Sequence, residues 1–247
     1  HAVNQGVTSF CYSGELPEWF FQDWFDRQCA GRDNINVSES ELGFKNYMID
    51  PAAVELIHDW YRELIYIYDN SVVENDDDEN ESILQTLETA IKQYGCKFLM
   101  IDNLMTAISD DLKSDLYRQQ SVFVSELVSM AAMYNVLIIL VVHPRKKSFG
   151  KDTLDNDDVA GSANITNLAH LVLHYTSPKD DECDRILRVL KNRNNGRVDY
   201  DGIPLWFQQS SKRISEISGL FDWTLGWEPE ASELITEDAD YGTEIPF

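Results

Sequence analysis

Basic residues are scarce in this chain: 20 Lys and Arg stand against 43 Asp and Glu in 247 residues, a formal net charge of −23 at pH 7. Proteins that grip nucleic-acid phosphates normally carry a basic footprint, so this balance excludes a broadly basic DNA-binding face. The deficit is uneven, however. Acids crowd into Glu74–Glu81 (ENDDDENE) and the stretch after Glu228, whereas Arg145, Lys146, Lys147 and Lys151 form one local basic cluster. A ring that is acidic outside and basic along a narrow channel satisfies both facts. Cysteine is sparse too. Cys11, Cys29, Cys96 and Cys183 lie far apart with no CxxC or Cys/His spacing, which excludes a zinc ribbon or disulfide framework and suits a reducing compartment. The longest apolar run, Val136–Val142, falls well short of the roughly 20 residues a membrane-spanning helix needs, and no signal-peptide pattern is visible. No GxxxxGK[ST] phosphate loop occurs either: the one Gly-Lys pair, Gly150-Lys151, precedes Asp152 and lacks the upstream glycine. The expectation is a soluble cytoplasmic protein without membrane contact. Opening on His1 rather than Met, it reads as a fragment, a processed product or a trimmed chain.

What is present is a pattern of short apolar strands alternating with helices. Val7–Tyr12, Leu64–Tyr68, Phe98–Ile101 and Val136–Val142 read as strands. Helices are expected over Pro17–Cys29, from Asp50-Pro51 to about Glu63 with Asp50 as cap, over Ser82–Tyr94 stopping at Gly95, and over Asp115–Tyr134. Strands apolar on both faces and separated by helices specify a parallel sheet covered on both sides. Past Thr166–Leu173 the pattern changes. Ile186–Arg193 and Ile203–Phe207 flank Asn194-Asn195-Gly196, the chemistry of a hairpin turn. The fold class is therefore α/β, a mostly parallel sheet flanked by helices with a C-terminal β-hairpin. The expected division is a core over 1–217 and an acidic, flexible tail over 218–247.

Four features carry chemistry. Asp102 ends the apolar strand FLMID, where ligands bind in open parallel sheets and where a carboxylate can hold the water shell of Mg²⁺. His143 ends VLIILVV, in reach of a γ-phosphate; Glu15 follows FCYSG and is placed to polarise an attacking water. Lys191, Arg193 and Arg197 surround the hairpin turn, suiting cations inserted into a neighbour's nucleotide site. Each has an ordinary structural explanation as well: a turn-capping Asp, a satisfied strand-end His, a surface Glu entering a helix, a charge-protected edge strand.

Together, FCYSGEL, FLMIDNL, VVHPRK, DDVAGSANITNLAHLVLHY and ILRVLKNRNNGR…GIPLWF resemble the successive motifs of DnaB/Twinkle-type replicative hexameric DNA helicases, over roughly residues 1–215. HPRK is similar to the phage-like primase-helicase branch. The resemblance implies a RecA-like ATPase core that uses ATP or another NTP with Mg²⁺, works as a homo-hexamer on single-stranded DNA, and has primase as a possible partner in a bacterial or phage-infected cell. It implies Glu15 as catalytic base, Asp102 as the Mg²⁺-associated acid and His143 as γ-phosphate sensor. Lys191 and Arg193 match a sensor lysine and an arginine finger acting across a subunit interface, Arg197 lies beside them, and Phe207 falls where an aromatic stacks on the base. Residues 146–158, with Arg145, Lys146, Lys147, Lys151 and then Gly161-Ser162, correspond to a loop gripping single-stranded DNA. Two departures stand out: the absent phosphate loop, which leaves the chain alone a poor ATP binder, and Thr176 where many relatives carry arginine. A RecA- or clock-type ATPase and a non-catalytic replication scaffold share the core pattern. The chain ends in acids followed by Ile245-Pro246-Phe247, which resembles the tip of bacterial single-stranded-DNA-binding proteins. The expected partner is a protein that captures such tips; a merely solubilising tail has the same composition.

Overall fold

The computed structural model describes residues 1–70, 82–108, 116–143, 163–178 and 182–228. After a short 3₁₀ turn at Val3–Gln5, the elements run β1 (Ser9–Ser13), α1 (Glu18–Ala30), β2 (Ile35–Glu39), β3 (Lys45–Ile49), α2 (Pro51–Tyr61), β4 (Ile65–Ile67), α3 (Ile83–Tyr94), β5 (Phe98–Asp102) and α4 (Leu104–Ala107). Then come α5 (Leu116–Tyr134), β6 (Leu137–Leu140), α6 (Ala163–Leu168), β7 (Leu171–Thr176), β8 (Arg185–Asn192), β9 (Asp199–Phe207) and β10 (Ile214–Ser215). β1, β4, β5 and β6 form a parallel sheet in the order β4-β1-β5-β6, and β7–β10 form an antiparallel sheet.

Local chemistry places the helix ends. Asp50 accepts a hydrogen bond from the Ala52 amide at 2.9 Å ahead of Pro51, which opens α2. Ser82 and Gln85 close a reciprocal capping box on α3, and Gly95, at φ +70°, ends that helix in a conformation a side chain would resist.

Side-chain alternation along the strands divides the interior. Phe10 and Tyr12 of β1, with Leu99 and Ile101 of β5, join Leu87, Ile91, Phe123 and Leu127 from α3 and α5 in one buried cluster. Cys11 and Ile65 join Cys29, Ile57 and Tyr61 from α1 and α2 in the other. The parallel sheet is thus covered on both faces, as its apolar strands require.

β6 departs from the expected fully buried strand. It pairs only with β5 among the described residues, and Leu137 and Ile139 are exposed. β7 likewise pairs only with β8 there, leaving Leu171, Leu173 and Tyr175 exposed. α5 packs against α6 and so links the two sheets. The β2–β3 hairpin, inserted between α1 and α2, also lay outside the expected pattern.

The expected tail from residue 218 is corrected over its first stretch. Phe221, Leu225 and Trp227 are buried, and Trp223 packs on the second cluster. Three apolar anchors in seven residues supply burial without any periodicity, which is why the sequence pattern concealed them. Arg213 fastens this segment. Its guanidinium donates to the carbonyls of Gln28 and Cys29 at the end of α1 and to those of Phe221 and Trp223, and it lies 4.4 Å from the Trp223 ring centre.

Candidate functional site

The register of β1 on β5 sets Ser13 opposite Asp102, so the carboxyl ends of these strands open on one place. Ser13 Oγ donates to Asp102 Oδ2 at 3.2 Å and accepts from the Leu16 amide at 3.2 Å, drawing the chain after β1 into a tight turn. Asn70 donates its side-chain amide to the Ser13 carbonyl, and to that of Leu16 at 3.4 Å. Gly14 lies against α4: a Cβ there would stand 2.2 Å from Thr106 Cβ, so only glycine permits this approach. Glu15 is carried at the apex of this turn.

Its carboxylate meets two groups. Oε1 accepts from Asn103 Nδ2 at 2.5 Å and lies 3.1 Å from His143 Nε2. Asn103 is fully buried and caps α4, its Oδ1 accepting from the amides of Met105 and Thr106. Glu15 and His143 have side chains 49% and 57% exposed, so a water or ligand has direct access to the pair. The structure therefore brings Glu15, Asp102 and His143 together at the ends of β1, β5 and β6. Such an arrangement can orient a water, accept a proton from it and present a carboxylate to a cation.

The cations singled out in the sequence lie on the antiparallel sheet. Lys191 Nζ donates to the carbonyls of Thr166 and Asn167 at the end of α6, at 2.5 and 3.0 Å, and Arg193 also donates to Asn167. Burial, then the neighbouring Arg193, lower the Lys191 pKa from its usual value. Arg197 stands exposed on the turn, its amide donating to Asn195 Oδ1 at 2.9 Å. Phe207 ends β9 with its ring partly exposed, and the Lys212 ammonium sits 5.7 Å over it and 5.0 Å over Trp24. Arg145, Lys146, Lys147, Lys151, Gly161, Ser162, Ile245, Pro246 and Phe247 fall outside the described residues.

Asn103, Ser13 and Asn70 were not among the residues singled out in the sequence. Only Asn103 leaves a signal there: an asparagine between a strand and an apolar turn is a preferred helix cap. For Mg²⁺ the donors present suit the ion, since Asp102 and Ser13 offer hard oxygens. One carboxylate, however, leaves most positions to water and to phosphate oxygens. Among the described residues no group of three or more His, Cys, Asp and Glu is arranged to hold a metal by itself.

Comparison with solved structures identifies the fold. The chain is similar to the ATPase domain of a DnaB-like helicase, with TM-score 0.66 and 14% identity over 87% of this chain and 76% of that one. It is similar to a DnaB-like replicative helicase studied for its interactions with primase, with TM-score 0.65 and 14% identity over 86% of this chain and 52% of that one. A KaiC-like protein from Pyrococcus horikoshii OT3 aligns with TM-score 0.52 and 15% identity over 86% of this chain and 76% of that one. The architecture is thus RecA-like, of the kind seen in DnaB-type ATPase domains. No family model matches the chain. Among curated sequences, Autophagy-related protein 13a of Arabidopsis thaliana is 26% identical over 113 residues, 40% of this chain and 18% of that protein. The chain thus spans less than a fifth of that relative's length.

Proposed function

We propose that this chain is the hydrolytic portion of an NTP-driven replicative DNA helicase core that acts as a hexamer on single-stranded DNA, without its phosphate-binding loop. The observation that carries the reading is the convergence of Glu15, Asp102 and His143 at the carboxyl ends of three adjacent parallel strands, on a DnaB-like fold. In open parallel sheets this end is where ligands bind. Two further facts support a portion rather than a complete nucleotide site. The sequence has no GxxxxGK[ST], and β6 and β7 each lack a strand partner on one side among the described residues.

In this reading Glu15 takes the proton of the attacking water, and His143, sharing Oε1, lies where a γ-phosphate oxygen would compete for its ring nitrogen. Asp102, oriented by Ser13, would hold Mg²⁺ through water; when bound, that ion neutralises charge on the phosphate oxygens. Lys191 and Arg193 would serve a neighbouring subunit, with Arg197 beside them and Phe207 against the base. The segment holding Arg145, Lys146, Lys147, Lys151, Gly161 and Ser162 would contact single-stranded DNA, and primase is a candidate partner. Ile245-Pro246-Phe247 would dock onto a protein that captures acidic, aromatic-ended tails.

The test is nucleotide turnover by this chain alone and by a version extended upstream along its own reading frame. Turnover stimulated by single-stranded DNA in the extended protein, with little or none in the chain alone, supports the reading. Turnover by the 247 residues alone at a typical helicase rate refutes the missing-loop part. The absent phosphate loop also favours a second reading, a non-catalytic scaffold; an upstream frame with no GxxxxGK[ST] and no turnover would select it.

A further inference from the structure

The structure assigns a positioning role to Asn103: its buried amide fixes the Glu15 carboxylate so that Oε2 is the oxygen offered to water. The inference rests on the reading of Glu15 as general base. Asn103 is 1% exposed, and both ends of its side chain are committed. Oδ1 accepts from Met105 N at 2.9 Å and Thr106 N at 3.3 Å, and its backbone N–H donates to Thr106 Oγ1 at 3.2 Å. The amide can therefore point Nδ2 in one direction, toward Glu15 Oε1 at 2.5 Å. That commitment settles which end of the amide is nitrogen, because the Oδ1 partners are both backbone donors.

Glu15 is otherwise a half-exposed side chain on a turn, with several rotamers open to it. A buried donor removes that freedom on one oxygen. Among the described residues Oε2 has no partner, so it remains the acceptor free for a water's proton. His143 bonds the same Oε1 from the solvent side. When the imidazole turns to a phosphate, Asn103 alone keeps the carboxylate in place. This division of labour matters because a base displaced by about 1 Å can cost on the order of a hundredfold in rate.

Asn103→Asp keeps the side-chain shape and the capping oxygen but removes the donor to Glu15; Asn103→Ser keeps a capping oxygen, adds no charge and is too short to reach Glu15. In the 247-residue chain, an Asn103 side-chain amide proton resonance that moves on Glu15→Ala is expected in nuclear magnetic resonance spectra. Its indifference to Glu15→Ala overturns the inference while leaving the function proposed above untouched. In the intact, nucleotide-hydrolysing protein, both Asn103 variants are expected to lower kcat about tenfold to a hundredfold with KM within about threefold, and at least one to melt near the parent temperature. Unchanged kcat in both, alongside a Glu15→Gln variant that is inactive, overturns the positioning role alone. A Glu15→Gln variant of full activity overturns the reading beneath it, and the inference falls with that reading.

Discussion

The ammonium of Lys191 sits 2.5 Å from the carbonyl oxygen of Thr166, joining β8 to the end of a helix twenty-five positions earlier in the chain. With the Asn167 contacts of Lys191 and Arg193, it closes the last turn of α6, where unpaired carbonyls gather partial negative charge. Lys191→Met removes these donors while retaining much of the stem. It is expected to destabilise the isolated chain by about 1–2 kcal/mol in urea unfolding, a loss consistent with hydrogen bonds from a charged group. An unchanged midpoint would mean that water serves those carbonyls equally well.

The three buried thiols predict an alkaline weakness. Burial pushes Cys11 and Cys29 up to about 12 and Cys96 up to about 11, from an ordinary value of 9.0. In the unfolded chain these thiols ionise near the ordinary value while the folded chain still holds their protons. Below pH 9 the two states bind equally, so nothing is lost there. Between about 9 and 12 the folded state binds more protons, and stability falls as pH rises. Urea midpoints measured from pH 8 to pH 10.5 should decline, and more shallowly in a chain bearing Cys11→Ala, Cys29→Ala and Cys96→Ala. At pH 8 an alkylating reagent should modify the half-exposed Cys183 first.

Gly14→Ala tests the contact between the Glu15 turn and α4. The new methyl would meet Thr106 Cβ at 2.2 Å, an atom fixed to helical backbone rather than the end of a flexible side chain. The turn must move, at a cost of about 1–3 kcal/mol. Displaced with it, Glu15 should lose its Asn103 bond. Calorimetry and the Asn103 amide resonance should therefore change together; a shift in neither would contradict the packing described.

Arg213 should be among the most sensitive positions for stability. It is 3% exposed and donates to four backbone carbonyls. Arg213→Met leaves those acceptors without a donor and is expected to cost about 2–4 kcal/mol in urea unfolding. Arg213→Lys should recover little, because an ammonium cannot span the fork. Limited proteolysis should then cleave in residues 217–228, which the parent chain protects.

By itself the sequence determined the local structure and the chemical identity of the site. Helix starts at Asp50-Pro51 and Ser82, the stop at Gly95 and the apolar strands ending at Asp102 and before His143 all follow from dihedral preference, capping and side-chain period, which act within a few residues. Glu15, Asp102 and His143 were legible because each ends such a strand. Tertiary structure alone decided what those residues touch. The bond from Asn103 to Glu15 spans 88 positions and exists because β1 lies beside β5 with Ser13 opposite Asp102. The exposed edge of β6, the β2–β3 hairpin and the burial of Phe221, Leu225 and Trp227 were hidden for a related reason. A periodic pattern reports that a face is apolar, but which surface covers that face depends on contacts between residues far apart in the chain.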